Sequence, residues 1–152
     1  MHEFELIKKF FSKISKKNIS ALNLNDDVFF DKKKKLAISI DTYNEGYHFL
    51  KGDKLGLILK KIIRSSISDL ICKGVQPKYY FISASGNERS FSENNLKTIF
   101  KSLKQEEKKF GISLSGGDTT YSNKLSFTIS SIGYTKKIVY RNKSKLNDDI
   151  YV

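Results

Sequence analysis

Five aspartates stand where folding alone supplies no reason for them. Asp118 lies in Ser115-Gly-Gly-Asp-Thr-Thr120, between the apolar runs Phe110–Leu114 and Leu125–Ile129. The runs read as buried strands, and the stretch between them as a tight turn with one carboxylate, two hydroxyls and open backbone N–H groups. Such a turn can take a phosphate on its amides and a magnesium ion on its aspartate. Asp26 and Asp27 precede the apolar Val28-Phe29-Phe30, and Asp41 follows Leu36–Ile40. Asp69 sits inside a helical pattern, with the small residues Ser65, Ser66 and Cys72 as its neighbours one turn away on either side. Taken alone, Asp69 reads as a surface residue. Taken together, carboxylates from separated segments repel one another at a common point unless cations neutralise them. Magnesium accepts hard oxygen ligands and bridges carboxylates to phosphates, and several ions would be needed to balance this set and a nucleotide triphosphate.

The elements that must position these groups follow from periodicity. Apolar residues at Phe4, Leu6, Ile7, Phe10, Phe11 and Ile14 predict a helix over 3–14. Residues 18–26 read as a loop, 28–30 as a short strand, Lys32–Lys35 as a turn, and 36–40 as a strand ending at Asp41-Thr42. A second helix opens at Gly52-Asp53 with Asp53 as its N-cap, carries Leu55, Leu59, Ile62, Ile63, Ile67, Leu70 and Ile71 as its core stripe, and closes at Gly74. Tyr79–Ser83 is a predicted strand. Ser92 caps a third helix over 93–109, with the stripe Leu96, Ile99, Phe100 and Leu103. Strands are predicted at 112–115, 124–134 and 137–140, with an edge fragment at 149–152. Adjacent strands late in the chain give an α+β fold: a mixed, mainly antiparallel sheet with helices packed on one face.

The 152 residues fit one domain, large enough to bury a core, and 39% hydrophobic content argues against disorder. One cysteine, Cys72, excludes an intrachain disulfide. No apolar run approaches a membrane span, so a cytoplasmic setting is expected. The net charge of +12 raises nucleic acid as a partner, but the lysines are spread along the chain and arginine is scarce, so a dispersed basic surface is the simpler reading. There is no Walker A loop and no G-x-G-x-x-G fingerprint. His48 follows Asp41 by seven residues and pairs with no other metal-ligand residue in a recognisable spacing.

Several short segments, in order, resemble the N-terminal domain of the thiamine-monophosphate kinase family, within the aminoimidazole ribonucleotide synthetase-like superfamily. They are Glu3-Phe-Glu-Leu-Ile7, Asp26-Asp27, Leu36-Ala-Ile-Ser-Ile-Asp-Thr42, Glu45-Gly-Tyr-His-Phe49, Ile67-Ser-Asp-Leu70 with Gly74, Ser115-Gly-Gly-Asp-Thr-Thr120, Tyr140-Arg141 and Asp149-Ile-Tyr-Val152. The resemblance implies that fold, and ATP-dependent phosphorylation of thiamine monophosphate to thiamine diphosphate by direct in-line transfer. It further implies magnesium at Asp27, Ser39, Ile40, Asp41, Asp69 and Asp118, nucleotide at Gly117, Asp118 and Arg141, and the thiamine phosphate at His48. No covalent nucleophile is expected, because phosphoryl transfer needs positioning and charge neutralisation above all.

The chain departs from the family pattern at several points. Asn23, Asn25 and Asn147 stand where glycines are usual, Tyr121 where an arginine is common, and Ile40 where a threonine often contributes to a metal site, so that contact must come from the backbone. The family also carries a C-terminal domain, which these 152 residues would lack. The expectation is an N-terminal, nucleotide-binding and dimerising domain, inactive in isolation. Another ATP-using synthetase of the same superfamily and a non-catalytic basic binding module are the alternatives.

Overall fold

The computed structural model describes residues 2–149. The chain opens with two short α-helical segments, α1 (Glu3–Leu6) and α2 (Ser12–Ser15), joined by a π-helical turn over Ile7–Phe11. The helical period predicted there is present, yet none of its residues is buried. In place of a plain loop, Ile19–Leu24 follows as 3-10 turns broken by a kink, where Leu22 and Asn23 take left-handed backbone at φ +53° and +57°.

The strands are β1 (Phe29–Asp31), β2 (Leu36–Asn44), β3 (Gln76–Gly86), β4 (Ser113–Tyr121) and β5 (Ser126–Tyr134). They form one sheet in the order β1-β2-β5-β3-β4. Every neighbouring pair is antiparallel except β3 and β4, which run parallel because helix α4 (Glu93–Phe110) carries the chain back between them. Helix α3 (Leu55–Ile71) links β2 to β3. The fold is thus the mixed α+β sheet the sequence predicted.

The core lies between one sheet face and the helices. Leu59, Ile62, Ile63 and Ile67 of α3 meet Tyr43, Tyr80, Phe127 and Ile129 of the sheet. Each such side chain contributes ~1.5–3 kcal/mol by leaving water. A second cluster, Val28, Phe30, Ala37, Leu70, Val75 and Ile138, closes the end of the sheet beside β1. Ile138 belongs to it without lying in a strand, so the segment 137–140 is irregular rather than extended. Asp149 is also irregular, and the rest of the expected fragment 149–152 lies outside the described residues.

Helix α4 keeps half of its predicted stripe, with Ile99 and Leu103 packed against the core, but is rolled away from the rest. Leu96 and Phe100 face outward, while Ser102 and Glu106 are buried. The cause is the approach of α3. A Cβ on Gly56 would stand 3.1 Å from Ser102 Oγ, so the glycine lets the two helices close. Arg64 then donates twice to Glu106, at 2.7 and 2.9 Å, drawing a carboxylate into the interface. Two boundary expectations also shift. Lys54, not Asp53, is the N-cap of α3, and Asp53 instead accepts the Leu50 N–H at 2.8 Å. Helix α4 ends as a left-handed C-cap should, on Gly111 at φ +65°.

Candidate functional site

The covered face of β2 carries Ala37, Ser39, Asp41 and Tyr43 in alternation, as strand geometry requires. Three of these pack in the interior beneath α3. Asp41 is half-buried near the same helix, and Asp69 projects from α3 toward them. Ser39 Oγ donates to Asp69 Oδ2 at 2.9 Å, and the Tyr43 hydroxyl donates to Asp41 Oδ2 at 3.3 Å. The small residues flanking Asp69 have a structural use: Ser66 Oγ lies 2.9 Å from Ser131 Oγ, a buried contact that seats the helix on β5.

The electrostatics report convergence. Burial pushes Asp41 up to about 6, and the charge on Asp69 pushes it the same way, with Asp27 adding to both. The Tyr43 hydrogen bond acts in the opposite sense. Asp69 is likewise raised, first by burial and then by Asp27, while Ser39 and the nearby Lys73 ammonium pull it down. Burial also raises Tyr43 to about 12, so its hydroxyl stays a donor. Asp41 and Asp69 therefore both feel the charge of Asp27, and the Lys73 ammonium eases Asp69.

Around this group stand two further predicted residues. Arg141 donates to Asp27 Oδ1 at 2.8 Å, and its guanidinium lies 5.7 Å from the centre of the Phe4 ring. His48 sits just past β2, where Nδ1 accepts the Asn44 N–H at 3.0 Å and the ring meets Tyr43 edge-on. Tyr43 thus touches both Asp41 and His48. Sequence reasoning missed it, although its position two residues after Asp41 puts both on one strand face.

Asp118 is placed elsewhere. Residues 115–120 are not a turn: they continue β4, an edge strand whose residues are exposed throughout. The glycines serve a register shift opposite Phe81. Gly116 has φ +148°, and a Cβ on Gly117 would collide with the Ile82 carbonyl. Asp118 pairs in register with Ser83, and Ser83 with Thr128, whose hydroxyl lies 2.9 Å from that of Thr42. Paired residues share a face, so Asp118 looks out from the open side of the sheet. Asp41 is on the covered side, three strand spacings away, or at least about 14 Å. Ile40 also points to the open side, 67% exposed, so only its backbone is available as a donor beside Asp41.

Among the described residues, no group of three or more His, Cys, Asp or Glu side chains is placed so that it could hold a metal ion by itself. The donor set still suits magnesium, which takes one or two carboxylates and completes its octahedron with water and phosphate oxygens. Two half-buried carboxylates that both hold their protons more tightly than usual, chiefly through burial, are the arrangement such a cation relieves. Asp41 and Asp69, with Asp27 and Ser39 alongside, fit it.

Residues 24–135 match the family described as AIR synthase related protein, N-terminal domain, and the chain belongs to that family. Within that class, its similarity to thiamine-monophosphate kinases runs the whole length of the chain. It is 35% identical to the enzyme of Haemophilus influenzae, over 100% of this chain and 47% of that one. The Buchnera aphidicola (subsp. Acyrthosiphon pisum) enzyme is also 35% identical, over 99% of this chain and 47% of its own length. The chain therefore spans about half the length of these curated relatives. Among solved structures, AaThiL complexed with AMPPCP and TMP superposes with a TM-score of 0.82 at 26% identity, over 95% of this chain and 45% of that one. A HypE–HypF complex superposes at 0.67 with 19% identity, over 92% of this chain and 46% of that one, a likeness of fold alone.

Proposed function

We propose that the chain is the N-terminal, nucleotide-binding half of a thiamine-monophosphate kinase, acting with ATP and magnesium on thiamine monophosphate to give thiamine diphosphate. The observation that carries this reading is the convergence of Asp41 and Asp69 beneath α3, the latter held by Ser39 and both raised by burial, with the charge of Asp27 bearing on both. A hard cation bound there supplies charge neutralisation for a phosphate oxygen. Asp41 and Asp69 hold it, Ser39 orients Asp69, and Asp27 closes the group from its loop. Arg141, tethered to Asp27, offers its remaining N–H groups to the nucleotide phosphates. His48, fixed through Nδ1, is free to donate from Nε2 to the phosphate of thiamine monophosphate. Tyr43 keeps Asp41 and His48 in one arrangement.

Gly117 and Asp118 bind nucleotide or its metal from the open face, apart from the triad. That face carries the exposed apolar side chains Ile40, Tyr79, Phe81 and Tyr134. Pairing of two copies through it gives a homodimer and covers the edge strand. Transfer is direct and in line, because positioning and charge neutralisation suffice for phosphoryl transfer, and the protein works in the cytoplasm. The isolated chain is catalytically inactive. A coupled assay with ATP, magnesium and thiamine monophosphate, run on this chain and on any longer polypeptide that carries it, tests the reading. Thiamine diphosphate formed only by the longer form is expected; its absence from both would contradict the proposal.

A further inference from the structure

Lys73 is a buried cation that none of the roles above uses. It follows the last turn of α3 and is 3% exposed, with its ammonium 2.5 Å from Asp26 Oδ1; the Asp26 side chain is itself only 5% exposed. Lysine almost never accepts such burial without a partner, and here the partner is also buried. The other ion pairs among the described residues differ, since each has at least one member reaching solvent.

What Asp26 does with the rest of its carboxylate gives the pair its meaning. Oδ1 accepts the backbone N–H of Asp27 at 2.9 Å. Oδ2 accepts the backbone N–H of Arg141 at 3.3 Å. The carbonyl of Lys73 accepts the Val139 N–H at 3.0 Å, so the irregular segment before Arg141 is tied to the same helix end. Asp69 lies one helical turn before Lys73 on that helix. Three segments that bear candidate ligands are therefore joined at one buried ion pair: the loop of Asp27, the segment of Arg141 and the end of α3.

We propose that Lys73 is a positioning residue. Through Asp26 it fixes the backbone of Asp27 and Arg141 relative to Asp69, so that affinity for magnesium–nucleotide depends on a side chain that touches neither metal nor nucleotide. The affinity part rests on the magnesium–nucleotide reading of the site; the clamp itself does not.

The test uses the 152-residue chain with three variants: Lys73→Met, Lys73→Arg, and the neutral pair Lys73→Met with Asp26→Asn. The readouts are thermal midpoint, amide hydrogen exchange at Asp27 and Arg141, and the dissociation constant for magnesium–AMPPCP. Lys73→Met strands a buried carboxylate and lowers the midpoint. The neutral pair strands no charge, so its midpoint stays close to wild type and the variant folds. In that folded pair, exchange at Asp27 and Arg141 is expected to quicken about tenfold or more, and magnesium–AMPPCP to bind about tenfold more weakly. Lys73→Arg is expected to retain most of both. Unchanged exchange and unchanged affinity in the folded neutral pair overturn the proposal. If the wild-type chain binds no magnesium–AMPPCP, the nucleotide reading fails instead. Exchange alone then decides the clamp: quickening at those two amides supports it, and no change overturns it.

Discussion

The two acidic regions of this sheet are built on opposite principles. Asp41 and Asp69 sit half-covered between β2 and α3, their oxygens engaged by Tyr43 and Ser39 and their charges opposing one another. Asp118 stands on an exposed edge strand, where its Oδ1 accepts only the N–H of the next residue, Thr119. The first region is organised before any ligand arrives and holds unfavourable charge in reserve for a cation. The second is held by backbone geometry and awaits something from outside, either the nucleotide or a second sheet. Preorganised, partly desolvated groups exert more electrostatic leverage than solvated ones.

Mutations that break this contrast should rank accordingly. Asp69→Ala, in the active kinase, should lower turnover about 10³-fold or more, because one substitution removes a metal ligand and the partner of Ser39. Steady-state kinetics check this, and a loss of less than about tenfold would place the metal elsewhere. Gly117→Ala should cost ~1–3 kcal/mol in denaturant unfolding, since the new methyl must displace the Ile82 carbonyl and with it the β3–β4 register. Asp118→Ala should leave stability within about 0.5 kcal/mol of wild type, as exposed substitutions do, while weakening nucleotide binding. A large stability loss there would mean the edge strand is not free.

The pH response separates the regions as well, and its sign follows from Asp41. Its carboxyl stands near 3.9 when unfolded and is raised to about 6 in the fold. The folded state thus holds this proton more tightly. Without metal, the stability it contributes is fully present below pH 4 and is lost as pH rises through 6. For a side chain only half removed from water the loss is at most ~1–2 kcal/mol. Magnesium must displace the same proton, so its affinity should climb over that window and level above it. Urea titrations with and without magnesium from pH 4 to 8 read both trends; Asp69→Asn should flatten them, and Asp118→Asn should not.

Much of this was legible from residue types. Asp27, Asp41 and Asp69 were marked by aspartates at strand starts, strand ends and inside a helix, and the structure brings them within electrostatic reach. The sheet and both long helices followed from periodicity. The Gly-Gly-Asp segment misled because glycine next to hydroxyl residues is the composition of a turn, and a bulged edge strand needs the same residues. Thr119, Thr120 and Tyr121, all strand formers, were the countersignal. The orientation of α4 depends on a pairing between Arg64 and Glu106, 42 residues apart, which hydropathy cannot reveal. Lys73 escaped notice for the same reason: its meaning comes from Asp26, on the far side of β2 in the chain.

The central claim is that the carboxylates under α3 are the principal seat of metal-dependent nucleotide binding, with the exposed edge at Asp118 in a lesser role. Calorimetric titration of the chain with AMPPCP, in magnesium and then in excess EDTA, tests it most directly when wild type is compared with Asp41→Asn. The account predicts binding that requires magnesium and is abolished in the variant while the fold persists. Binding of equal strength in EDTA, or in folded Asp41→Asn, would contradict it.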